Sequence, residues 1–321
     1  MYHLFYSLLP VAAALVWWQA FPGPQSSPLR QVYQFPNATW VENIAVRSNG
    51  NLLVTLVNVP ELWEIVSPQQ PGKTRAQFIH RFQDTGMATG ITEIDPDVYV
   101  VLTPNRVWRV DMNIDERATR AKLISNIDNA GSLNGMTLLN QEAGIVAIAD
   151  CQLGLVWRLN TTDGSHSVML QDESMAANKD IGPLLGINGL RKHQDFIYYV
   201  NTPRALYGRV RVDMITGHAI GPYETISTGF RADDFAISPG GIGYLAGITD
   251  NTIVRAFLNG KQEVVAGGLG SKPVVRPTSA AFGRNEYSNI LYITTGGNAG
   301  SLTSFTGRGE ILALKVDALG E

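Results

Sequence analysis

Cysteine is nearly absent from this 321-residue chain, where Cys151 stands alone. No intrachain disulfide can form, so the fold must rest on its hydrophobic core. A single cysteine after Asp150 in a strand-rich stretch reads as a small buried hydrophobe rather than a nucleophile. Histidine is scarce as well, and no Cys/His spacing of a zinc site occurs. His80, His166, His193 and His218 share no repeat position and read as loop or surface residues. There is no Gly-x-Ser-x-Gly elbow and no Walker loop, which removes serine-elbow and P-loop chemistry. Lys and Arg number 25 against 28 Asp and Glu, and no basic block breaks that balance. Nucleic acid is therefore not an expected partner.

Long apolar runs are missing too, except at the start. Leu4 to Trp18 is apolar over about fifteen residues, which suits a signal-peptide core and is short for a membrane span. Residues 1–20 are read as a signal peptide, with an uncleaved anchor as the rival, and 21–29 as a linker. Passage through the secretory pathway, or an extracellular location, follows as the expectation, with no stable membrane span after cleavage. The sequons at Asn37 and Asn160 agree with glycosylation on that route.

What the chain does contain is a repeat. A short phrase recurs about every 45 residues, led in turn by Glu42, Thr89, Asn134, Asn188, Asp233 and Thr278. After each phrase comes a turn-like stretch and an apolar run such as Leu52–Val57, Val98–Leu102 or Ile290–Thr294. Each unit supplies at least three strands, and the link to the next supplies a fourth, as at Ala76–Ile79. The fold class expected is all-β, a six-bladed β-propeller with four-stranded blades over residues 30–321. An early strand at Arg30–Phe35 would complete the last blade and close the ring. An open β-solenoid is disfavoured, because its rungs are shorter and no distinct capping repeats are visible.

In a propeller the innermost strands line the channel. Each lead residue is expected just before its inner strand, at one channel mouth. Glu42, Asn134, Asn188 and Asp233 would bring two carboxylates and two amide carbonyls to a common centre. Hard oxygen donors of this kind suit a divalent metal: Ca²⁺, Mg²⁺, Mn²⁺ or Zn²⁺. No organic cofactor is expected. The plainer alternative is that Asn-Gly and Asp-Asp are ordinary turn formers and that channel linings are simply polar.

These phrases resemble the senescence-marker-protein/gluconolactonase/regucalcin family of six-bladed propellers, and the resemblance spans residues 30–317. It implies one channel metal held by a Glu before the first inner strand, Asn before the third and fourth, and Asp before the fifth. Those positions are Glu42, Asn134, Asn188 and Asp233, with Asp234 as the alternative if the fifth repeat slips by one. In the family's lactonases that Asp also serves as general base. The lactonase pattern Arg-x-Asn-Asp is Ser132-Leu133-Asn134-Gly135 here, so a serine replaces the substrate-gripping arginine. The wording around Trp40–Gly50 and Ala232–Ala236 resembles a fungal branch of specialised metabolism. That branch includes hetero-Diels–Alderases, which join a tropolone quinone methide to a humulene-type terpene.

Three functions are open on this reading. A cyclase binding apolar small molecules needs near-attack geometry and a polarising donor. Trp40, Ser132, Met136, Phe230 and Phe235 are its candidate substrate contacts, with Met87, Leu185 and Tyr207 as further wall positions. Arg231 and Arg204 are its candidate oxyanion donors. A metal-dependent lactonase or esterase would use Asp233 as base. A non-catalytic binding propeller would keep the metal as a structural element.

Overall fold

Short, apolar, β-branched runs punctuated by tight turns cannot bury themselves alone, so they pair into blades that bury one another's faces. The structure, a computed structural model, describes residues 29–114, 120–178, 185–298 and 306–316. The expected signal peptide and residues 21–28 of the linker lie outside these residues; Leu29 already begins a strand.

The strands assort into six antiparallel sheets of four. This is the expected six-bladed β-propeller. The inner strands are Val41–Val46, Ile91–Asp95, Leu133–Asn140, Ile187–His193, Ala232–Ile237 and Pro277–Phe282. Five sheets are built from consecutive strands. The sixth takes its outermost strand from the N-terminal end, Leu29–Gln34, which pairs antiparallel with Glu310–Lys315. The ring is thus closed between the two ends of the folded region, which ties opening of blade six to global unfolding.

Burial follows radial position. Second strands such as Val98–Thr103 and Ile145–Asp150 are buried at every residue, because neighbouring blades cover both faces. Outer strands such as Arg75–Arg81 have no fully buried residue, and the exposed arginine at each end blunts an otherwise free sheet edge. The core lies between adjacent blades. Val100, Val107 and Leu102 of blade two pack with Met136, Ile148 and Trp157 of blade three.

One expectation needs correction. Five of the six lead residues do not precede their inner strands; they occupy the second strand position, and only Thr89 lies outside. Nor does Asn-Gly mark a turn here. A β-carbon on Gly135 would stand 2.2 Å from the Asn188 carbonyl oxygen, and one on Gly189 would stand 2.2 Å from Asp234 Oδ1. Glycine is needed because inner strands of neighbouring blades converge toward the axis and their backbones meet.

Candidate functional site at the channel mouth

Every inner strand starts at the same end of the channel, so the second strand position places Glu42, Asn134, Asn188 and Asp233 in one ring. Glu42 is 7% exposed and Asp233 8%. The Trp40 indole N–H donates to Glu42 Oε2 at 2.7 Å. The Asn188 amide N–H₂ donates to Asp233 Oδ1 at 2.5 Å and to Thr202 Oγ1 at 3.0 Å. Thr202 passes its own proton to the Ala232 carbonyl at 2.7 Å, which ties blade four to blade five beside Asp233. The two lead threonines act in the same way. Thr89 Oγ1 donates to the Leu133 carbonyl at 2.9 Å and Thr278 Oγ1 to the Val41 carbonyl at 2.6 Å.

Burial pushes the Glu42 carboxyl up to about 7, opposed by the Trp40 indole and reinforced by the charge of Asp234. Burial likewise holds the Asp233 carboxyl well above the carboxylate range, with the charges of Glu42 and Asp234 adding to it. Neither residue has an ion-pair partner among the described residues, whereas Asp234 does. Asp234 turns toward the next layer down the channel, where Oδ2 accepts from Arg191 Nη2 at 2.6 Å, Ser279 Oγ at 2.9 Å and Asn43 Nδ2 at 3.0 Å. These four residues come from blades four, five, six and one and make a polar plug beneath the mouth. Deeper still, Arg284 donates to Glu93 across the axis, and a cavity of about 310 Å³ opens there beside Arg191 and Thr137.

The ring suits a divalent cation in its chemistry. Two buried carboxylates face one another without a built-in cation, and an ion would remove the cost of that repulsion. Among the described residues no three His, Cys, Asp or Glu side chains converge as a metal cluster. The carboxylates would therefore need amide oxygens from Asn134 and Asn188 to complete a hard-donor set. With its N–H₂ spent on Asp233 and Thr202, Asn188 keeps its carbonyl oxygen for that role.

Several predicted substrate contacts lie elsewhere. Phe235 is fully buried, edge-on to Tyr207 at 5.3 Å between ring centroids, inside the core of blades four and five. Met136 packs in the core of blades two and three and lines the far-end cavity rather than the mouth. Both sit two residues past a lead residue, where the inner strand has already descended. Tyr207 is core as well. Trp40 is buried at the mouth, with its edge turned to Glu42. Phe230 is partly buried against the core at the entry to blade five, and Arg231 beside it is exposed. Met87 and Leu185 are partly buried in the loops entering blades two and four. Arg204 Nε donates to the Ala176 carbonyl at 3.2 Å, a structural tie. Of the sequons, Asn37 is exposed and Asn160 partly exposed.

Two residues not placed at the mouth from sequence lie there, Cys151 and Asp150. Cys151 is buried as expected, yet it belongs to the mouth: its backbone N–H donates to the Ser132 carbonyl at 2.9 Å, and its side chain feels the charges of Asp150, Glu42 and Asp233. Burial pushes the Cys151 thiol up to about 12, so it is neutral at ordinary pH. Asp150, fully buried, accepts the backbone N–H groups of Gly131 at 2.8 Å and Ser132 at 3.0 Å and the Trp157 indole at 3.1 Å. It thereby fixes the loop carrying Ser132. The available signal was positional, because Asp150-Cys151 ends the second strand of blade three, and second strands end at the mouth.

No protein-family model matches the chain. Two fungal proteins do, each named "Putative hetero-Diels-Alderase". One, asR5 of Sarocladium schorii, is 30% identical over 319 residues, covering 84% of this chain and 79% of the relative. The other, from a Phoma species, is 28% identical over 314 residues, covering 85% of this chain and 88% of the relative. Among solved structures, the calcium-binding protein regucalcin of Agrobacterium tumefaciens superposes with a TM-score of 0.66 at 17% identity, over 92% of this chain and 96% of that one. The last likeness is one of fold alone. The sequence likeness reaches further, and on it the chain belongs to the family of these fungal hetero-Diels-Alderases, built on a regucalcin-type six-bladed propeller.

Proposed function

We propose that the chain catalyses a hetero-Diels–Alder cycloaddition in specialised metabolism, joining a carbonyl-conjugated heterodiene to an apolar alkene at the channel mouth. The observation that carries this reading is Ser132, immediately before the inner strand of blade three that opens at the mouth. It fills the place where lactonases of the wider family present a substrate-gripping arginine. Likeness to relatives named for the cycloaddition, over 84% of the chain, supports it.

The chemistry asks little of the protein beyond placement. One C–C and one C–O bond form, nothing leaves, and no nucleophile or redox partner takes part. Two apolar partners must be held in near-attack geometry. Electron density gathering on the carbonyl oxygen must meet a fixed donor. Phe230, Met87 and Leu185 supply apolar surface in the loops that enter the mouth. Glu42 and Asp233 form a polar floor below them. Glu42, Asn134, Asn188 and Asp233 would hold a divalent ion, which when bound supplies Lewis acidity toward a carbonyl oxygen. Trp40 and Thr202 orient the ring, since groups behind the ligands fix their direction.

Purified protein assayed with a quinone-methide precursor and a humulene-type alkene, and in parallel against a lactone panel, tests the reading. Adduct formed faster than in protein-free buffer, with no lactone turnover, is the expected result. Lactone turnover that disappears in Asp233→Asn would replace the cyclase with a hydrolase. Inertness in both assays would leave a binding propeller.

A further inference from the structure

Serine replaces the arginine expected before blade three, yet a cation reaches the mouth from another blade. Arg276 sits immediately before the inner strand of blade six, Pro277–Phe282. Its φ is +52°, in the left-handed region. That conformation costs a non-glycine residue of order 1 kcal/mol or more and persists only where surroundings enforce it. Two backbone bonds enforce it here. The Arg276 amide donates to Asn251 Oδ1 at 2.9 Å, and its carbonyl accepts the Gly296 N–H at 2.9 Å. The enforced turn lays the guanidinium over the Trp40 ring, with Cζ 5.9 Å from the centroid. Gly296 seats the ring itself, because a β-carbon there would come within 2.7 Å of Trp40 Cδ2. The same indole donates to Glu42 at 2.7 Å. A half-buried cation is therefore held one aromatic ring away from the carboxylate floor. Partial burial lowers the Arg276 pKa from its ordinary value.

Resting on the cycloaddition reading above, we propose that Arg276 is a catalytic residue that donates a hydrogen bond to the carbonyl oxygen of the heterodiene. Guanidinium fits the task because it cannot be deprotonated in a protein. It stabilises charge on the oxygen as the C–C and C–O bonds form, and no proton is left behind on the adduct. Its planar fork also fixes the direction of the carbonyl, and with it the alkene face that is approached. Blade six thus supplies the cation that blade three lacks.

The test uses the full-length protein with Arg276→Met and Arg276→Lys. Steady-state cycloaddition is measured beside calorimetric binding of a stable aryl ketone that mimics the heterodiene, with thermal melting as the folding control. Loss of one such donor costs about 100-fold in rate. Arg276→Met is expected to lose about that factor in kcat/KM, as a lower kcat together with a higher KM, with melting intact. Arg276→Lys should recover part of the loss, and ketone binding should weaken in Arg276→Met. Wild-type turnover with kcat and ketone binding unchanged in Arg276→Met would overturn the assignment. So would a loss of rate that only tracks a loss of folded protein, with Lys no better than Met. Absence of wild-type turnover, with ketone binding still dependent on Arg276, would sink the cycloaddition and keep the residue as a carbonyl donor.

Discussion

Glu42 concentrates the electrostatics of this protein in one side chain. Burial lifts its carboxyl from 4.5 to about 7. The unfolded chain releases that proton near the lower value and the folded chain near the higher one. Between them the folded state binds more protons, so stability falls as pH rises through this window. A displacement of this size corresponds to about 3 kcal/mol. In chelator, the urea midpoint is expected to drop between about pH 5 and about pH 8. Saturating Ca²⁺ or Mn²⁺ should flatten the drop, because the ion replaces the proton as the compensating charge. A midpoint independent of pH in chelator would contradict the assignment. Below the ring, Asp234 has its cation built in. Arg191→Met would leave a buried carboxylate unpaired, a change that costs about 3–5 kcal/mol; equilibrium denaturation reads it directly, and a loss under about 1 kcal/mol would mean that the plug is not structural.

At the scale of strands, much of the molecule was legible. The period, the apolar second strands and the turn glycines each reflect local physics, so the sheets and their order could be read from residues near one another in sequence. The lead residues were found for the same reason. The rest depended on contacts between blades. Gly135 reads as half of a turn until Asn188, 53 positions later, is known to press its carbonyl against it. Met136 and Phe235 look like mouth residues until the descent of the inner strand is known to carry them into the core. Cys151 and Arg276 reach the mouth from loops that the repeat phrase does not include. The glycine contact gives a sharp expectation. Gly135→Ala must move a backbone rather than a flexible tip, so a loss of about 2 kcal/mol or more is expected. Gly72→Ala is a poor control, since positive φ strains it by itself. Gly86→Ala, whose β-carbon meets nothing within 4 Å, is the better one and should change stability little.

For the whole molecule, closure of the ring sets both stability and function. The strand Leu29–Gln34 is held by Glu310–Lys315, and Val32 and Phe35 anchor it in the core shared with blade one. A chain beginning at residue 36 would leave blade six with a raw edge and blade one with exposed apolar surface. Compared with a chain beginning at Leu29, it is expected to melt at least about 10 °C lower, or to aggregate. Equal melting temperatures would mean that the sixth blade stands without its N-terminal strand. Closure matters for chemistry because the ring of Glu42, Asn134, Asn188 and Asp233 exists only while all six inner strands converge. Arg276 and Trp40 likewise meet only across the junction of blades six and one. The central claim is that this mouth holds two partners in one orientation. Chiral chromatography of the adduct formed with and without the protein tests it most directly. A single stereoisomer in the presence of protein, against a racemate in its absence, is the expected result; the same racemate from both would contradict it.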